Sequence, residues 1–205
     1  ARFTPFGVAD LADGRDRALA NRLVTTALRR HGQLSAAIVR LLDRGMPGKS
    51  GSFEAVLRLS LAQLLYLPEI GAHSVIFLAV EAAKRDKKAG HLAKLLNAIL
   101  RRAQAEADLL RGLPGALLFP EALRQRWVDV YGPAIVDDFG VALIAGAPLD
   151  LTLKHADATL VEALGGVPML PDVVRIESRD RSVDGLPGFA DGQWWVQDVA
   201  ASLPA

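Results

Sequence analysis

The stretch FEAVLRLSLAQLLYL, Phe53 to Leu67, is apolar almost all the way round a helical projection, with Phe53, Val56, Leu57, Leu61, Leu64 and Leu65 covering most of its circumference. A helix with so little polar surface is stable only when other elements enclose it. Pro68 ends it, because proline lacks the N–H that the next turn needs. The rest of the chain must therefore supply partners with a single apolar stripe.

Those partners flank it. From Arg15 to about Arg30, Ala18, Leu19, Leu23, Ala27 and Leu28 recur at helical spacing, with Gly32 as the expected stop. A second helix is expected from Leu34 to Arg44 on Leu34, Ile38, Leu41 and Leu42, broken by GMPGKSGS, Gly45 to Ser52. After the central helix a fourth, capped by His73 or Ser74, closes in Lys84, Arg85, Asp86, Lys87 and Lys88, where basic charge suits the helix dipole. A fifth runs from His91 to Glu106. No strand pattern interrupts them, so the first half is expected to be an all-helical bundle.

After the turn-rich LRGLPG, Leu110 to Gly115, helices are expected at 121–130 and 133–145. The period then changes from 3.6 to 2. LDLTLK (149–154) and VVRIES (173–178) alternate as strands, DATLVEALGG (157–166) reads as a short helix closed by glycine, and residues 194–197 alternate last. The fold class is α+β: an all-α helical bundle over residues 1–108, then a small α+β domain over residues 109–205.

Charge divides the same way. Residues 14–106 hold sixteen Lys and Arg against seven Asp and Glu, whereas residues 107–205 hold seven against fourteen. A basic half points to a polyanionic partner. Arg29 and Arg30 end the first helix, Lys84, Arg85, Lys87 and Lys88 the fourth, and Lys94, Arg101 and Arg102 lie on the fifth; these nine are the candidate RNA-binding residues. Few exposed aromatics are expected in that half, so contact with the phosphate backbone is favoured over stacking on rings. Asn97, inside a helix of strong formers, is expected to make a buried structural hydrogen bond.

Other chemistries find little support. DRGMPGKS, Asp43 to Ser50, resembles a phosphate-binding loop, but Asp43 stands where the first glycine belongs and the segment joins two helices. The four histidines lie in four separate segments without metal-ligand spacing, so no metal is expected. With no cysteine there is no disulfide, thiolate zinc site or thiol nucleophile. Arg58, Gln63, Glu69 and His73 interrupt the richest apolar stretch before it nears the roughly 18–20 residues of a membrane span. Pro5 and Asp10 are foreign to a secretory signal, so no membrane partner and a cytoplasmic location are expected.

RDRALANRLVTTALRR, the run from MPGKSGS through AQLLYL to VEAAKR, and HLAKLLNAILRR resemble the NusB-like domain that begins bacterial ribosomal-RNA cytosine-5 methyltransferases of the RsmB (Sun/Fmu) type. LPGFADGQWWVQDVAASLPA, Leu186 to Ala205, resembles the end of the same enzymes' connecting domain. The resemblance implies an RNA-binding and targeting region whose partners are small-subunit ribosomal RNA and a following catalytic domain. S-adenosylmethionine would be bound by that domain, and no cofactor by this chain. In such enzymes a cysteine thiolate adds to cytosine C6 so that C5 can attack the sulfonium methyl; a chain without cysteine has no catalytic residue for that step.

By the same resemblance the chain is expected to start after the family's first helix and to stop where the catalytic domain begins, and Gln197 and Asp198 are expected to brace that junction. Thr152, Leu153 and Lys154 stand where the family commonly has Arg-x-Asn, so no role is carried over there. A stand-alone NusB-like RNA-binding factor in transcription or ribosome assembly is the alternative, against which the segment after residue 110 counts.

Overall fold

The enclosed helix organises the first half of the computed structural model, which describes residues 11–145, 148–177 and 182–203. This helix, α3 (Phe53–Tyr66), buries Phe53, Leu57 and Leu61 completely. Around it lie α1 (Gly14–Arg29), α2 (His31–Leu41), α4 (Ala72–Arg85), α5 (Ala93–Ala105) and the short α6 (Ala107–Arg111). Leu34 and Ile38 of α2, Val75, Ile76 and Ala79 of α4, and Leu96, Ile99 and Leu100 of α5 complete one core. Helices of this length are marginal in isolation, so burial against α3 stabilises them.

Two local expectations are corrected. Gly32 does not end the first helix: α1 stops at Arg29 and Gly32 lies in the first turn of α2. A Cβ there would collide with the Leu117 carbonyl, so glycine is present for close approach and not for a turn. Neither His73 nor Ser74 caps α4, whose N-cap is Gly71 without a side-chain bond.

Segment 112–119 is held on the helices by polar contacts. The buried Gln33 amide donates to the carbonyls of Leu113 (2.8 Å) and Pro114 (3.3 Å). Asp137 accepts from the Ala116 N–H at 3.0 Å. Helices α7 (Glu121–Tyr131) and α8 (Pro133–Ala145) follow, joined by edge-on packing of Phe119 on Trp127 and of Trp127 and Tyr131 on Phe139. The chain divides into two compact units between Ile144 and Ala145, downstream of the 108/109 boundary read from the sequence. Contacts from residues 113–116 to α2 and α8 place α7 and most of α8 with the helical unit.

The second unit is a four-stranded antiparallel sheet in the order β2-β3-β1-β4, from β1 (Leu149–Leu153), β2 (Val167–Leu170), β3 (Val173–Ile176) and β4 (Trp194–Val196). Helix α9 (Ala158–Leu164) starts at Asp157, whose carboxylate accepts from Thr159 and Leu160 N–H groups, and ends at Gly165 in the left-handed conformation. Leu151, Leu153, Leu160, Leu164, Val174, Ile176, Leu186 and Trp194 form its core. Strand β2 sits at an edge, carries Pro168, and is irregularly registered between Pro168 and Leu170. The strand expected over 173–178 ends at Ile176; Ser178 lies outside the described residues.

Candidate nucleic-acid interface

Asp86 fixes the geometry at one end of the helical bundle. It terminates α4, and its carboxylate accepts from the Ser52 N–H at 2.7 Å and the Lys88 N–H at 2.8 Å. Those N–H groups, with further help from the Ser52 hydroxyl and the Ala89 N–H, hold its carboxyl at about 2. Gly51 approaches so closely, at φ +57°, that a Cβ would lie 2.5 Å from the Asp86 carboxylate and 2.8 Å from Lys88 Cβ. The loop carrying Lys49, Ser50 and Gly51 is thereby set against the segment carrying Lys87 and Lys88. Lys49 is the one non-glycine with positive φ among the described residues (53°), a conformation the clamped loop imposes. Because Asp86 is held below the usual carboxylate range, the clamp is intact at neutral pH. It weakens as pH falls from about 4, where an unfolded Asp takes up its proton, through the folded value of about 2.

The nine candidate cations separate by their partners. Arg29, Arg85, Lys87, Lys88, Lys94 and Arg101 are exposed and make no ion pair among the described residues. Lys84 is shared with Glu81 at 2.8 Å. Arg30 packs over the Tyr66 ring, 3.8 Å from its centroid, and donates to Gln33. Arg102 bonds Glu106 at 2.9 Å and Asp43 at 3.4 Å, while Arg40 reaches Glu106 at 3.0 Å. This four-residue network ties α2 and the loop after it to α5 and cancels its own charge. Arg102 is accordingly expected to act differently from its neighbour: Arg102→Ala should lower the melting temperature and leave the salt dependence of RNA binding unchanged, and Arg101→Ala the reverse. Melting curves and anisotropy titrations of the two variants check this.

Sequence reading missed Lys49 and Arg44 as candidate cations; both are exposed and neither makes an ion pair among the described residues. It also misplaced Asn97, which is exposed and has no hydrogen bond to a described residue. Within a helix whose inward positions are Ala93, Leu96, Ile99, Leu100 and Ala103, Asn97 falls on the outward face.

Gln197 and Asp198 are both engaged locally. Gln197 Oε1 accepts from the Trp195 indole at 2.7 Å, and Asp198 caps α10 (Val199–Ser202) by accepting from the Ala200 N–H at 2.8 Å. Beside them the side chain of Asp150 is fully enclosed. It receives Arg175 through Nε at 2.8 Å and Nη2 at 2.9 Å, and accepts the Val199 N–H at 3.0 Å. The Arg175 guanidinium holds the Asp150 carboxyl below its ordinary value.

The described residues do not fit S-adenosylmethionine. The described sheet is antiparallel, and neither of its strand-to-helix turns, β1 into α9 through Lys154, His155, Ala156 and Asp157 and β4 into α10 through Gln197 and Asp198, has a glycine to cradle the cofactor. Among the described residues no cluster of His, Asp and Glu could hold a metal, and no helix is long and apolar enough to cross a membrane.

Residues 8–105 of this basic helical bundle's sequence match the NusB family. Over almost its full length the chain is similar to bacterial proteins named ribosomal RNA small subunit methyltransferase B. It is 32% identical to that of Xanthomonas campestris pv. campestris over 95% of this chain and 46% of the relative. With that of Pseudomonas putida it shares 32% identity over 96% of this chain and 48% of the relative. A protein of Synechocystis sp., named probable ribosomal RNA small subunit methyltransferase B, is 26% identical over 93% and 46% respectively. The chain thus spans a little under half the length of these relatives.

Proposed function

We propose that this chain is the RNA-binding and positioning part of an S-adenosylmethionine-dependent small-subunit ribosomal-RNA cytosine-C5 methyltransferase acting in the cytoplasm, with methyl transfer carried out by residues outside it. The carrying observation is the Asp86 clamp, which sets Lys49 against Lys87 and Lys88 beside the unpaired cations of α4 and α5, in a chain similar to ribosomal RNA methyltransferases along nearly its whole length. Preorganised ammonium groups displace counterions from a phosphate backbone without first ordering a loop. Gln197 and Asp198, at the start of α10, would brace the catalytic domain.

If about four phosphates are engaged, log K should fall against log salt with a slope of roughly −3 on single-stranded RNA. The triple variant Lys87→Ala, Lys88→Ala, Arg101→Ala should bind more weakly and flatten that slope by about 2, with helicity intact. An unchanged slope would move the RNA surface elsewhere. Mixed with S-adenosylmethionine and small-subunit RNA, the chain should transfer no methyl group; transfer would overturn this assignment.

A further inference from the structure

Between α4 and α5 lies a shallow cavity of about 180 Å³ lined by His73, Ile76, Phe77, Val80, Lys84 and Arg101, with Glu81 and Asn97 completing it. Phe77 is 58% exposed, although an aromatic ring on an amphipathic helix ordinarily faces the core. Its helix neighbours Ile76 and Ala79 are buried, so the ring stands outside the packed face by helical phase and not through loose packing. Asn97 and Arg101, one turn apart on α5, reach the same cavity, Asn97 with a free amide and Arg101 with no ion pair among the described residues.

We infer that this groove holds one unstacked base of a single-stranded RNA, with Phe77 as its stacking surface, Asn97 bonding the base edge, and Arg101 and Lys84 on the adjoining phosphates. The inference rests on the RNA-binding reading above and adds to it a contact with a base. An amide offers both a donor and an acceptor to a base edge. A phenyl face stacks on any base. The cavity is smaller than the roughly 300–1,000 Å³ that encloses a drug-sized ligand, and its size suits a single ring system. Cations on both helices favour a nucleic acid over an apolar protein helix. Glu81, bonded to Lys84 at the rim, offsets one of the two cations and leaves the groove net positive through Arg101.

The test compares a labelled oligouridylate with an abasic phosphoribose chain of the same length, by anisotropy at fixed salt, on the full chain. The parent should prefer the base-bearing strand by about tenfold. Phe77→Ala should abolish that preference while keeping the salt slope, and Phe77→Trp should retain it. Asn97→Ala should change the relative affinity for oligouridylate and oligoadenylate. Leu78→Ala, also exposed on α4 but outside the groove, should leave everything unchanged; as all three sites are exposed, the melting temperatures of the four variants should match the parent's. Equal binding of both strands by the parent, or a Phe77→Ala variant that keeps the preference, overturns the inference and leaves the groove to a protein partner. Failure of the parent to bind either strand overturns the RNA-binding reading itself.

Discussion

Gly140→Ala should melt the helical unit about 6–10 °C below the parent, taking a net loss of about 3 kcal/mol and the usual shift for a unit of this size. A Cβ on Gly140 would fall inside contact distance of the Gly115 backbone, and one on Gly115 would lie 2.7 Å from the Asp137 carbonyl, so two main chains touch where no side chain can give way. Alanine would favour helix by about 1 kcal/mol in an exposed position, which makes the expected sign a discriminating one. Segment 112–119 cannot retreat, because Gln33 grips it on one side and Asp137 on the other. Gly32→Ala should behave alike through the Leu117 carbonyl. Gly48→Ala, with open space around it, should be nearly neutral. Far-ultraviolet circular dichroism with Trp127 fluorescence reads the transition. If Gly140→Ala melts like the parent, α8 does not bear on segment 112–119.

Asp150→Ala should cost the sheet unit about 2 kcal/mol, because the Asp150 carboxylate is enclosed while the Arg175 left behind is still partly in contact with water. It would strand the Arg175 guanidinium and free the first N–H of α10 together. Asp150→Asn keeps the shape and an acceptor, so its loss should be smaller, and it isolates the charge. The sign of the pH effect follows from the depressed folded value. As pH falls, the unfolded chain takes up the proton first, near 4, so the stabilisation is complete above that and disappears as pH drops through the lower folded value. Asparagine does not titrate, so the gap between parent and Asp150→Asn should close on acidification. Trp194, buried in the same sheet, reports it. A gap that stays constant between pH 7 and pH 2 would mean the carboxylate's charge does not stabilise the fold.

What could be read from residue order was whatever depends on neighbours within a turn or two. The five helices of the bundle, the short helix read within 157–166, and the strands at 149–153, 173–176 and 194–196 follow from local period and local chemistry. Strand β2 was illegible because it lacks alternation: Val167, Pro168 and Met169 are all exposed, and its pairing with β3 is what makes it a strand. The roles of Gly32, Gly115 and Gly140 depend on main-chain contacts distant in sequence, and glycine alone does not announce them. For the candidate interface, the identity of the cations was visible, but not which were occupied. Arg102 finds Asp43 across 59 positions, and Asp86 finds Ser52 across 34. Asn97 was misjudged because its unfavourable place among strong helix formers suggested a buried bond, and only the phase of α5 puts it, like Phe77 on α4, outside the packed face.

The two outer strands of the sheet have a bearing on behaviour at high concentration. An open edge offers unpaired main-chain groups to any other strand, the usual route to fibrous association. On β2, Pro168 withholds an N–H and the broken register next to it spoils the line of acceptors, while β4 on the far side is only three residues long. Val167 and Met169 can therefore remain exposed without inviting a neighbour's strand. In this sheet, resistance to aggregation rests on the poor quality of its edges as templates, and a straightened β2 with an ordinary residue in place of Pro168 would give it up.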